Sequence, residues 1–304
     1  MRRNVKTKAA AISIISNSFL IVLKLLVGMF TNSISIISEA IHSLMDLLAA
    51  VIAFLSVKKS SEPADDDHQY GHGKYEDASG FVEGALILAA AGYIIYEAAK
   101  KLLTGNIDYI DSYAGIAVML MSVFVNIYVS RTLFRVAQKT DSMALLADAE
   151  HLRTDVLTSL GVLIGLVLIK LTGYKVLDPI IAIFVAMLII KAGMKLCVSA
   201  VRNLLDSSLP EADIIKIKGV LEGYMPHKVI RYENLKTRKA GAERLIEFTL
   251  ILHKEMSLKE AHNICDEIEN CLQTAISSAI LNIHMEPCQN DCTQCNLKKC
   301  IEFS

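Results

Sequence analysis

The chain of 304 residues has no tryptophan, and charged residues make up only 21% of it. It also lacks an excess of either sign. Lys and Arg number 31 against 32 Asp and Glu, a formal net charge of −1. A basic nucleic-acid-binding surface is therefore not expected. Hydrophobic residues reach 53% and the mean hydropathy is +0.42, which excludes a disordered or fibrous chain. It is also too apolar for an ordinary soluble protein of this size. No HExxH, Ser/His/Asp or glycine-rich phosphate motif stands out, so no enzyme is expected. The 7 cysteines are an odd number, and Cys288, Cys292, Cys295 and Cys300 crowd the C-terminal end. That pattern is a poor match to a secreted disulfide framework. The basic start (Arg2, Arg3, Lys6, Lys8) runs into an apolar segment longer than a signal-peptide core, so no cleaved leader is expected.

Long apolar runs take the place of what is missing. A bilayer core needs about 20 mostly apolar residues per helix. Six windows qualify: Ala9–Phe30, Ile34–Val57, Phe81–Ala99, Tyr113–Phe134, Met143–Leu171 and Val176–Ala200. With the N-terminus inside, the inner segments carry Lys58, Lys59, Lys74, Arg131, Arg135 and Lys139 besides the basic start. The outer ones carry only Lys100, Lys101, Lys170 and Lys175. The positive-inside rule then places both termini in the cytoplasm of a multi-pass protein of the cell (inner or plasma) membrane.

After Leu205 the pattern becomes that of a soluble domain. Ser208 and Glu211 read as a capping box for a helix reaching Tyr224. Lys228–Lys236 and Glu243–Leu252 read as strands joined at Ala240-Gly241. Ser257 and Glu260 open a second helix to Ala275, and Ala279–Glu286 reads as a third strand. The order αββαβ is a small α+β domain. The expected organisation is a six-helix transmembrane domain over 1–205, the α+β domain over 206–287 and a Cys-rich tail over 288–304.

Two of the apolar windows carry the same polar signature. The second reads Glu39-x-x-His42-x-x-x-Asp46 and the fifth Asp148-x-x-His151-x-x-x-Asp155. Positions i, i+3 and i+7 share one helix face, so His42 projects with Asp46 and His151 with Asp155. Ionisable groups at membrane depth are costly and mark functional sites. Two His/Asp pairs offer two imidazoles and two carboxylates, enough for a tetrahedral divalent cation. Zinc suits that set. Manganese or magnesium favours more oxygens, and cobalt and cadmium stay open. Glu39 and Asp148, one turn before each histidine, are weaker candidates, and Lys24 in the first window is ambiguous.

Two carboxylates give the site a charge of about −2, which one divalent ion cancels; proton uptake relieves the same charge when the metal leaves. Exchange of a metal ion for protons follows from that arithmetic.

Six windows, His-x-x-x-Asp in the second and fifth, and a small α+β domain resemble the cation diffusion facilitators, most closely the bacterial ferrous-iron/zinc efflux type. The segment from Pro63 to Glu76, with Gly71-His72-Gly73-Lys74, strengthens the likeness. The resemblance implies a homodimer that exports divalent metal, most simply Zn²⁺ (or Cd²⁺, Co²⁺, Fe²⁺), from the cytoplasm in exchange for protons. It implies His42, Asp46, His151 and Asp155 as transport ligands and a ferredoxin-like fold for the soluble domain. It also implies a loop metal site at Asp65, His68 and His72, and an intersubunit charge contact between Lys74 and Asp206. In the soluble domain His262, His284 and Glu286 fall where the resemblance expects ligands, while Glu233 and Thr249 stand where relatives carry histidine, and threonine is a poor zinc ligand. Four close thiols at Cys288, Cys292, Cys295 and Cys300 suit zinc or copper(I). The competing reading is a metal-responsive sensor or scaffold that keeps the fold without transport.

Overall fold

The computed structural model describes residues 2–31, 34–104, 113–172, 174, 176–225 and 228–288. It divides into two units, Met1–Leu204 and Leu205–Ser304.

Among the described residues the first unit holds six long helices: α1 (Arg2–Thr31), α2 (Ile34–Ser60), α3 (Lys74–Thr104), α4 (Tyr113–Thr140), α5 (Met143–Thr172) and α6 (Leu177–Leu204). The sequence windows underestimated most of them, because helices run past the apolar stretch into flanking polar turns. α3 begins at Lys74 rather than near Phe81. Four of the six are long and apolar enough to cross a membrane among the described residues: those at Val5–Phe30, Lys74–Thr104, Ala117–Thr140 and Pro179–Leu204.

The unit exposes many large apolar side chains and buries several polar ones among its apolar core. Phe19, Phe30, Phe124, Tyr128 and Phe184 are exposed, whereas Ser13, Asn17, Lys24, Asp46, Glu83, Asn126 and Asp148 are buried. In water this arrangement would expose a large apolar surface; in a bilayer it satisfies both faces. Packing relies on small residues. Ala9, Ala10, Ala137, Ala144 and Ala149 meet Val57, Val129, Leu133, Leu145 and Leu152 where α1, α2, α4 and α5 converge. On its other side α5 packs Met143 and Ala147 against Ile87 and Ala91 of α3 and Ile189 and Leu196 of α6. α5 therefore belongs to both cores. Gly84 lets α3 approach α6 closely: a Cβ there would lie 2.6 Å from Cys197 Sγ and 3.3 Å from the Cys197 backbone nitrogen.

The second unit contains α7 (Glu211–Gly223), β1 (Arg231–Ala240), β2 (Glu243–Leu252), α8 (Leu258–Ala275) and β3 (Ala279–Pro287). The sheet order is β1-β2-β3, with β1 antiparallel and β3 parallel to β2. Ile217, Leu221, Ile246, Leu250, Ile268 and Leu272 form its core. Gly241 takes φ +60° in the short β1–β2 turn, a conformation that favours glycine. Arg244 of β2 donates from Nε to Asp213 of α7 at 3.1 Å and from Nη1 to the Ser277 carbonyl at 3.1 Å, tying the helices to the sheet.

Two local expectations needed correction. The first helix starts at Glu211 with Pro210 at its N-cap and no side-chain cap, so Ser208 and Glu211 form no capping box. Proline fixes φ at this boundary, and its carbonyl accepts from the Asp213 and Ile214 N–H groups. β1 lies later than expected, at Arg231–Ala240, with a bulge between Glu233 and Lys236 where Asn234 turns to φ +54°. The capping box of α8 is formed: Glu260 N–H donates to Ser257 Oγ, and Ser257 N–H donates to the Glu260 carboxylate at 2.9 Å.

Gly84→Val should lower the thermal unfolding midpoint of the detergent-solubilised chain, at a cost of about 1–3 kcal/mol from overpacking. Gly92→Ala should not lower it, because open space surrounds that position. Ser257→Ala should destabilise the start of α8 by about 0.5–2 kcal/mol. Hydrogen bonds from the Ser257 hydroxyl and N–H hold the Glu260 carboxyl below the usual range. Its contribution is therefore full above the unfolded carboxyl value of about 4.3 and fades as pH falls through the lower folded value. The protection factors of the first-turn amides against hydrogen exchange should fall in that acid window, and in Ser257→Ala should be low at neutral pH as well.

Candidate metal centre

Three side chains of the repeated signature come together between α2 and α5. Asp46 comes from α2, and His151 and Asp155 come from consecutive turns of α5. His151 Nε2 lies 3.3 Å from Asp46 Oδ1. One ligand atom from each of Asp46, His151 and Asp155 can be chosen so that all lie within 4.8 Å of one another. Ligands about 2.0–2.1 Å from a tetrahedral ion are separated by roughly 3.3–3.4 Å, so the Asp46–His151 distance fits one ion between them. Asp46 is buried; His151 and Asp155 are partly so. The side chain of His42, and that of Glu39, lie outside the described residues.

Polar groups from other helices surround this cluster. Asn17 of α1 donates from Nδ2 to the Asp46 carbonyl at 3.4 Å. Ser13 of α1 donates to Asp148 Oδ1 at 3.1 Å, and Asp148 is fully buried one turn before His151. A small cavity of about 30 Å³ adjoins the centre, bordered by Asp46, Asp155, Lys24, Asn17, Ser43 and Asn126 among others.

A second cluster lies in the α2–α3 loop. Asp65, His68 and His72 again bring one ligand atom each within 4.8 Å. The turn that gathers them is built locally. His68 N–H donates to Asp65 Oδ1 at 2.7 Å, and Gly71 at φ +80° reverses the chain between the two histidines. Their rings sit 4.6 Å apart. His72 Nδ1 lies 3.1 Å from the Pro63 carbonyl, which leaves Nε2 turned toward Asp65 Oδ2 at 3.2 Å without the alignment of a hydrogen bond. The His68 N–H, and then the nearby imidazoles, hold the Asp65 carboxyl below its ordinary value. An ionised carboxylate beside two imidazoles suits a divalent cation.

The other predicted ligands are less gathered. Glu233, Thr249 and His284 fall in one row across the sheet, since Glu233 pairs with Thr249 and Thr249 with His284. Glu233 is turned to Arg231, His284 lies 3.4 Å from Glu286, and His262 lies 3.7 Å from Asp266 on its own helix. Among the described residues these four do not form a ligand cluster. Cys288 is a buried free thiol after β3, its N–H bonded to the Leu252 carbonyl. Cys292, Cys295 and Cys300 lie outside the described residues. Lys74 donates to the Leu204 carbonyl at 3.2 Å, and Asp206 meets Arg238 at 3.3 Å.

Sequence reasoning missed several buried polar groups. Glu76 accepts from Lys6 at 2.8 Å, from Ser60 at 2.8 Å and from Ser142, joining α1, α2, α3 and the α4–α5 turn. Asp77 accepts from Asn203 of α6 at 2.7 Å. Glu83 of α3 is fully buried, and neither carboxylate oxygen has a hydrogen-bond partner among the described residues. A carboxylate inside a long helix was the available signal, but none of the three belongs to the repeated signature.

Residues 10–205 match the cation efflux transmembrane domain, and residues 209–288 match the cytoplasmic domain of cation efflux proteins. The chain is 33% identical over 271 residues to an uncharacterized transporter of Synechocystis sp., covering 88% of this chain and 86% of that one. It is 30% identical over 282 residues to the cation-efflux pump FieF of Yersinia pestis, covering 92% and 93%. A solved structure of CzrB, studied for its mode of action as a zinc transporter, aligns at 32% identity over 26% of this chain and 98% of that one, with a TM-score of 0.26. Family match over most of the chain and near-full-length relatives agree with the His/Asp cluster between α2 and α5 and the apolar outer surface of the bundle. The chain belongs to the cation diffusion facilitator family and is a membrane-embedded cation efflux transporter rather than an enzyme.

Proposed function

We propose that this transporter exports divalent transition-metal ions, zinc first among them, from the cytoplasm in exchange for protons. The cluster of Asp46, His151 and Asp155 between α2 and α5 carries the reading. His42, one turn before Asp46 on α2, completes a set of two imidazoles and two carboxylates. Such a set favours zinc, cadmium or cobalt over harder, oxygen-seeking ions.

The exchange follows from charge. The ionised carboxylates of Asp46 and Asp155 carry about −2 in a medium that disfavours uncompensated charge. A divalent ion neutralises them, and its ligands must be free of protons to bind it. When the ion leaves, protons replace it. Alternating exposure of the site to the two sides then links outward metal movement to inward proton movement.

In this reading α2 and α5 cross the bilayer with the other four helices, which gives six spans and leaves both termini cytoplasmic. The transport domain occupies 1–205, a ferredoxin-like domain 206–287 and a Cys-rich tail 288–304. The chain works as a homodimer, a reading supported by its match to the cytoplasmic domain of cation efflux proteins. Lys74 and Asp206 contribute to the contact between protomers. The acidic loop with Asp65, His68 and His72 collects metal on the cytoplasmic side, as its donor geometry supports. Glu233, His262, His284 and Glu286, and the thiols Cys288, Cys292, Cys295 and Cys300, are further metal-binding positions in this reading.

Zn²⁺ flux into proteoliposomes with an imposed pH gradient tests the reading. Flux should follow the gradient and fall at least about tenfold in Asp155→Ala and in His151→Ala. Flux independent of the gradient would overturn proton exchange. Undiminished flux in both variants would overturn the site.

A further inference from the structure

Glu83 of α3 is a buried carboxyl group that the transport reading leaves unused. It is fully enclosed, and its Oε1 and Oε2 have no hydrogen-bond partner among the described residues. Asp148 of α5 is equally enclosed. Its Oδ1 accepts from Ser13, and its Oδ2 has no hydrogen-bond partner among the described residues. The packing of α3 on α5 sets the two at one level. A Cβ on Gly80 would lie 2.6 Å from Met143 Cγ, and Ile87 shares an apolar cluster with Met143 and Ala147. Glu83 stands between Gly80 and Ile87, and Asp148 follows Ala147. The two carboxyl groups act on each other electrostatically.

The basic groups of the helices packed against α3 are directed elsewhere. α6 exposes Lys191 and Lys195, and Arg153 of α5 turns to Glu150. On α2, Lys58 is exposed and Lys59 pairs with Glu62. The acidic groups nearest in sequence have their own partners: on α3, Glu76 meets Lys6 and Asp77 accepts from Asn203. Asp46 of α2 meets His151. Two ionised carboxylates with one serine hydroxyl as donor would be strongly disfavoured in a dry bundle, and one proton removes half of that charge. Neither group joins a cluster of three or more metal-ligating side chains among the described residues, so a proton suits the pair better than a metal ion.

We propose that Glu83 is a proton-binding site of the transporter, protonated when metal is absent and emptied when cargo binds. The proposal rests on the reading of Asp46, His151 and Asp155 as transport ligands. Asp148 links the two places: it lies one turn before His151 and acts electrostatically on His151 and Asp46. A divalent ion held there brings positive charge toward Asp148 and offsets the field that keeps a proton on Glu83. The Glu83 O–H bond then breaks, its electron pair stays on the carboxylate, and the proton passes to water. When the ion leaves, Glu83 takes up a proton again. It therefore adds to the protons exchanged for each metal ion without being a metal ligand.

Two measurements on the full-length chain in detergent test this. Infrared difference spectra between the metal-free and Zn²⁺-loaded chain should show loss of a protonated-carboxyl C=O band, and Glu83→Gln should remove that band. Calorimetric titration with Zn²⁺ in buffers of different ionisation enthalpy counts the protons released, read on the binding component that Asp155→Ala abolishes. Glu83→Gln should release about one proton fewer than wild type. A band that survives Glu83→Gln, or an unchanged proton count in a Glu83→Gln chain that melts like wild type, would overturn the proposal. Should Glu83→Gln fail to fold, Asp148→Asn decides: loss of the neighbouring charge should move the band in frequency, and an unmoved band overturns the proposal. An Asp155→Ala chain that loses no binding component would overturn the transport-site reading, whereas a band lost in Glu83→Gln would still uphold the proton on Glu83.

Discussion

Charge buried in a low-dielectric helix bundle is the constraint on which this structure depends. Asp46 and Asp148 are removed from solvent, with His151 and Asp155 close to it, in a unit whose outer surface is apolar. Each such group is destabilising unless a partner, a proton or a bound cation offsets it. The bundle meets this in two ways. Glu76 is neutralised by Lys6 and ringed by hydroxyl donors, an arrangement complete in itself. Asp46, His151 and Asp155 are brought together as donor atoms around a space that a cation fits. The first arrangement joins helices; the second, on the proposed function, is completed by a cargo cation.

The central position of α5 links this chemistry to the packing. One side of the helix joins the core with α1, α2 and α4, and another joins the core with α3 and α6. Its alanines allow close approach on both sides, so His151 and Asp155 sit on a backbone gripped from two directions. The soluble unit contributes different physics. Its helices and sheet are fixed by an ordinary apolar core, a formed capping box and the Arg244 ties.

Much of this was legible in the sequence, for identifiable reasons. The apolar windows located the long helices, because apolar length is what a bilayer selects. The repeat around His151 and Asp155 pointed to one face of α5, because helical periodicity places i and i+4 together. The loop trio Asp65, His68 and His72 was named on resemblance, and its closeness depends on Gly71 at positive φ. Other features were hidden. Nothing local in Ser208-Leu209-Pro210-Glu211 shows that proline rather than serine takes the cap position. The bulge in β1 depends on pairing with β2. Glu76 and Glu83 were visible as charges beside apolar runs, but the partners of Glu76 come from other parts of the chain, and Glu83 has no hydrogen-bond partner among the described residues. Glu76 meets Lys6 across 70 residues and Ser142 across 66.

The central claim is that one divalent ion is held by nitrogen and oxygen donors between α2 and α5. X-ray absorption at the zinc edge tests it most directly, on the full chain loaded with one equivalent of Zn²⁺ after His68→Ala and His72→Ala have removed the loop donors. A shell of nitrogen and oxygen at about 2.0–2.2 Å with imidazole scattering, lost when Asp155→Ala is added, is the predicted result. A sulfur shell near about 2.3 Å, or a spectrum unchanged by Asp155→Ala, would place the ion elsewhere and contradict the account.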